Sequence, residues 1–115
     1  MSNPKHITHK GIHLERLDFN TAWYNEYMLV SYNTVVVYAG KRFIYVDYAQ
    51  QSITTKKHIR AYLKKLSITR INSGLSNLLY IYLRDWRCMG RCKLLYDLKG
   101  ERAYSVTKCP DLSLI

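Results

Sequence analysis

The spacing of apolar and polar positions changes twice along the chain. Between Glu26 and Tyr48, "EYMLVSY" (Glu26 to Tyr32), "VVVYA" (Val35 to Ala39) and "RFIYVDY" (Arg42 to Tyr48) are of strand length and rich in β-branched and aromatic residues. Asn33 and Gly40 punctuate them. Gly40-Lys41 is expected to form a tight turn with Gly40 at positive φ, where the missing Cβ removes a clash. The Asn33 break reads either as a turn or as a bulge within one longer strand. Val35, Val36 and Val37 offer apolar side chains to both faces, which predicts a central strand in an antiparallel meander.

The period then lengthens. Ser52, Thr54 and Thr55 supply side-chain oxygens for a helix N-cap. Ile59, Tyr62, Leu63 and Leu66 follow at i, i+3, i+4 and i+7, one stripe of a helix. A second helix is predicted from Gly74 to Trp86, with Leu75, Leu78, Leu79, Tyr82, Leu83 and Trp86 on one face. "LLYIYL" also fits a buried strand, but the stripe outruns strand length and favours the helix. After Gly90, "KLLYDL" and "RAYSVTK" flank Lys99-Gly100 as a second hairpin. The first two dozen residues are polar and weakly patterned, with an ordered start expected near Leu14 to Phe19. These readings give a flexible tail over 1–13 and one α+β domain over 14–115: an antiparallel β-meander packed with about two helices and a C-terminal hairpin.

Composition narrows the class. A chain of 115 residues that is 48% hydrophobic fits one folded domain with a real core. Eleven Tyr against two Phe and two Trp put a polar tip on most aromatic side chains, useful at a core edge or against a partner. No apolar run approaches the roughly 20 residues that span a bilayer. "MSNPKHITHKGIH" lacks the apolar stretch of a secretory signal. Cys88, Cys92 and Cys109 are an odd number, unlike a secreted disulfide framework. The expected setting is a cytoplasm, without membrane association.

Charge is unevenly placed. The net charge is +10. Residues 1–50 are nearly balanced, with five Lys/Arg against Glu15, Asp18, Glu26 and Asp47. Residues 51–115 carry thirteen basic residues against Asp85, Asp97, Glu101 and Asp111. Such an imbalance favours an acidic partner. Lys56, Lys57, Arg60, Lys64 and Lys65 fall mostly on the polar side of the first helix, where they can track phosphates or simply be solvated. Lys56 and Lys57 are expected in its first turn, where the dipole disfavours cations and an anionic ligand would offset them. Arg84, Arg87, Arg91 and Lys93 surround "DWRCMGRC", and Trp86 with these arginines offers stacking and planar phosphate contacts. The spacing of Trp86 fits the core stripe better.

Metal and catalytic signals are weak. Cys88 and Cys92 form CxxxC, and His6, His9 and His13 form HxxHxxxH, but the histidines lie far away in sequence and a second tight knuckle is missing. No metal or other cofactor is expected. GxSxG, Walker, HExxH and paired-carboxylate motifs are all missing. His58 has the chemistry of a base, with Thr and Lys as its neighbours in sequence. The chain does not read as an enzyme.

Ser31-Tyr32-Asn33-Thr34 and Thr54-Thr55-Lys56-Lys57-His58 match an "SYxT" strand followed by a "TTxKH" helix start. In this the segment from Glu26 to Leu63 resembles a group of small bacteriophage proteins without assigned function. The resemblance implies a phage or prophage origin and carries no chemistry. Small phage proteins as a class often bind nucleic acid or disable a host defence or replication factor. Two functions are therefore expected. One is non-catalytic contact with nucleic acid through the basic C-terminal half. The alternative is a phage-encoded inhibitor of a host defence or nucleic-acid enzyme, anti-CRISPR-like, meeting an acidic or nucleic-acid-binding host protein.

Overall fold

The computed structural model describes residues 6–9, 11–17, 21–48, 52–69, 75–88 and 93–108. Eight strands form one antiparallel sheet in strict sequence order: β1 (His6–His9), β2 (Ile12–Arg16), β3 (Ala22–Tyr24), β4 (Met28–Ser31), β5 (Thr34–Ala39), β6 (Phe43–Asp47), β7 (Lys93–Asp97) and β8 (Arg102–Ser105). Two helices, α1 (Ile53–Thr69) and α2 (Leu75–Cys88), leave the sheet after β6 and return the chain to β7. This is the α+β meander that the periodicity predicts. β6 and β7 pair from Phe43↔Asp97 to Asp47↔Lys93 across the helical excursion.

The valine run explains the centre of the sheet. β5 lies between β4 and β6. Its register with β4 shifts, pairing Leu29 with Val37 but Val30 with Val35, so Val36 is a bulge residue. The extra residue lets Val36 and Val37 both join the larger core, while Val35 packs on the opposite side against Leu14, Met28 and Val30. The larger core unites Leu29, Val37, Ile44, Val46 and Leu94 of the sheet with Ile59, Tyr62, Leu63, Leu66, Leu79 and Leu83 of the helices. The four predicted α1 positions are thus all buried. On α2, Leu79 and Leu83 point inward while Leu78 lies at the rim, 38% exposed.

One turn expectation changes and one alternative is decided. Gly40 does not lie at positive φ; Gly11, at 82°, does. The Gly40 N–H donates to the Phe43 carbonyl at 2.8 Å, so Lys41 and Arg42 hold the centre of that turn and Gly40 closes its strand end. The Asn33 break is a turn: Tyr32 and Asn33 have φ of 49° and 69°, the paired positive values of a type I′ hairpin. Asn suits that geometry. Tyr does not, and its Cβ costs about 1–2 kcal/mol in the left-handed region.

The amino-terminal boundary also moves. Residues 6–9, expected in a tail, form β1 and pair with β2 from His6↔Glu15 to His9↔Ile12. Gly11 at positive φ makes their tight connection possible. At the other end, Asp97 organises the final hairpin. It accepts from Arg42 Nε at 3.2 Å and Nη2 at 3.1 Å, and from the Lys99 N–H at 3.0 Å. The Arg42 contact, helped by the Gly100 and Lys99 amides, holds this carboxyl down at about 2. A Cβ at Gly100 would sit 2.9 Å from Asp97 Oδ2, so any larger residue there would have to displace the carboxylate that Arg42 holds.

Candidate nucleic-acid interface and the Ser31–His58 contact

α1 starts where Ser52 caps it. The Ser52 hydroxyl accepts the Thr55 N–H at 3.1 Å, and its carbonyl accepts the Lys56 N–H at 3.0 Å. One of the amides that an anion at this N-terminus would use is therefore already satisfied. Lys56 and Lys57 become the fourth and fifth helical residues. The Lys56 ammonium lies 5.4 Å from the centre of the Tyr48 ring, a cation–π contact that gives its charge a local role. Lys65 makes the equivalent contact with Tyr24 at 5.5 Å.

The five α1 cations thus divide into two sets. Lys56 and Lys65 are half-buried and flank the helix, each resting on a tyrosine of the sheet side. Lys57, Arg60 and Lys64 are exposed and recur at i, i+3 and i+7, a single outward stripe with the 74%-exposed Ile53 at its head. The helix Ile53–Thr69 contains no Asp or Glu. Three positive charges therefore stand along about 10 Å of helix without an acid between them.

Two members of the second basic group have described side chains. Arg84 is exposed on α2 and lies 3.5 Å from Asp85. Lys93 is half-buried at the start of β7, opposite Asp47. The Arg87, Arg91 and Trp86 side chains lie outside the described residues, as do those of Cys88, Cys92 and Cys109. Among the described residues no three His, Cys, Asp or Glu side chains converge as metal ligands.

The two short motifs, "SYNT" and "TTKKH", meet in space. Ser31 closes β4 on its helix-facing side, where α1 packs. Its hydroxyl lies 2.9 Å from His58 Nδ1 and 3.0 Å from Thr55 Oγ1. Ser52 donates to Thr55 Oγ1 at 3.2 Å. The Thr55–Ser31–His58 run works in either sense: Ser31 donates to Nδ1 of a ring protonated on Nε2, or accepts from a ring protonated on Nδ1. Sequence reasoning names Thr as a His58 neighbour but misses Ser31, 27 residues earlier. The one available signal is a polar residue ending the buried run "MLVS".

A Ser–His contact at this distance suits a nucleophile and its base in an open cleft. Here Ser31 is 2% and His58 0% exposed, so it joins α1 to the sheet instead. Burial pushes the His58 imidazole below its ordinary 6.5. The folded protein then takes up this proton less readily than the unfolded chain, so stability is lost as pH falls below about 6.5. The melting temperature should fall between about pH 7 and pH 5. His58→Gln, which keeps a polar side chain but cannot titrate, should flatten that fall; an unchanged acid slope would remove His58 as its cause.

No helix among the described residues is long and apolar enough to cross a membrane. A family model described as "Family of unknown function (DUF8033)" matches residues 1–75. The chain belongs to that family. The matched region runs from β1 through α1 and includes the Ser31–Thr55–His58 contact and the cationic stripe. Arg84, Arg87, Arg91 and Lys93 lie beyond it. No curated protein and no solved structure matches the chain.

Proposed function

We propose that this family member is a non-catalytic nucleic-acid-binding protein that grips backbone phosphates with the outward face of α1. The observation that carries the reading is the Lys57, Arg60, Lys64 stripe on a helix without a carboxylate. At 3.4 Å per nucleotide along a strand, about 10 Å of helix reaches roughly three phosphates. Lys56 and Lys65 add field from the flanks while resting on Tyr48 and Tyr24. Recognition of this kind reads charge and spacing and not base sequence. Of the nine candidate basic residues, it assigns the central contact to those on α1.

The reading is tested by titrating a labelled oligonucleotide at several salt concentrations. Three phosphate contacts give a log–log slope of about −2 to −3, or a roughly 15- to 60-fold loss of affinity from 50 to 200 mM salt. Binding that ignores salt contradicts the reading.

A second reading keeps one observation of its own. Ile53, Leu78 and Ile81 are large apolar side chains left exposed on the two helices, and phosphates make no use of them. They suit the alternative of a phage-encoded inhibitor that covers the acidic surface of another protein. A nuclease-treated lysate that yields a stoichiometric protein partner, with no salt-dependent oligonucleotide binding, favours it.

A further inference from the structure

We propose that Tyr32 is a base-stacking residue, so that the ligand at the α1 face is single-stranded nucleic acid with an unpaired base against its ring. This rests on the α1 phosphate-binding reading and adds to it the form of the ligand. Three observations converge on Tyr32. Its backbone is held at φ 49°, in the left-handed region that bulky side chains avoid. Its N–H donates to the Thr21 carbonyl at 3.0 Å, which fixes the turn. The residue is nevertheless 52% exposed, so about half of it is left open to solvent.

Strain kept at an exposed aromatic residue points to contact outside the chain. The ring is also aimed. It tilts at 38° against the His58 ring, with 6.0 Å between centroids. His58 is in turn held by Ser31 at 2.9 Å, so the tyrosine packs against a ring fixed in the core. His58 lies on the flank of α1 that also carries Lys65, one side of the outward stripe. His58 stands about 100° round the helix from Lys57, so a strand whose phosphates follow Lys57, Arg60 and Lys64 meets Tyr32 through a base turned over the Lys65 flank toward the sheet. Base–aromatic stacking tolerates any sequence, which agrees with contact through phosphates. A paired base in a duplex has its faces covered and cannot use the ring.

The test compares Tyr32→Asn and Tyr32→Phe with wild type on a short oligothymidylate and on a duplex of the same length. Asn fits the I′ turn, so Tyr32→Asn should melt no lower than wild type. It should lose at least about fivefold in single-strand affinity, the lower end of one lost stack, and keep its duplex affinity. Tyr32→Phe retains the ring and should bind both as wild type does. A Tyr32→Asn protein with unchanged single-strand affinity, or one weakened equally on both ligands, overturns the inference while leaving the phosphate reading intact. Wild type that binds neither ligand overturns both.

Discussion

Leu63→Ala lowers the unfolding free energy by about 2–5 kcal/mol, against the roughly 5–15 kcal/mol by which domains of this size are stable. Leu63 is 1% exposed on α1 and belongs to the cluster that joins Leu29, Val37 and Val46 of the sheet to Leu79 and Leu83 of α2. Truncation there removes apolar burial and leaves a void that the sheet, fixed by its hydrogen bonds, cannot close fully. Leu78→Ala is the control. At 38% exposure on the α2 rim, it has less to lose and should cost under about 1 kcal/mol. Urea unfolding should show a lower midpoint for Leu63→Ala at unchanged m. Equal midpoints for the two variants would mean that α1 does not use this stripe to hold the sheet.

The parts of the fold that depend on local pattern are legible in the sequence. The Ile59, Tyr62, Leu63, Leu66 stripe is sufficient to orient α1, because four apolar positions at helical spacing admit one inward face. The "VVVYA" run places β5 at the centre of the sheet because it is apolar on both sides. β1 to β3 are less legible. They are three to five residues long and owe their order to pairing with one another, which apolar spacing over so few residues cannot reveal. Gly11, at positive φ, is the signal that the sequence offers for the first hairpin.

The candidate site divides in the same way. The cations of α1 are visible as a cluster, but their separation into an outward stripe and two flanking cation–π contacts depends on Tyr24 and Tyr48, which lie in other elements. Ser31 and His58 meet only because β4 ends beneath the first turns of α1. Tyr32 reads as one of many tyrosines until its backbone φ is known. Composition therefore indicates the excess of positive charge, and tertiary structure supplies the geometry in which it is displayed.

The central claim is that the outward stripe of α1 binds phosphate, and its most direct test is the triple variant Lys57→Glu, Arg60→Glu, Lys64→Glu. All three side chains are exposed, so the variant should unfold at nearly the wild-type urea concentration. Lys56 is left in place, since reversing it would also disturb its contact with Tyr48. Three attractive contacts become three repulsive ones, each worth about 1 kcal/mol in a solvated setting. Oligonucleotide affinity at low salt should fall at least about a hundredfold, and the salt dependence should vanish with it. A variant that folds and binds the oligonucleotide as tightly as wild type, with the same salt slope, would contradict the account.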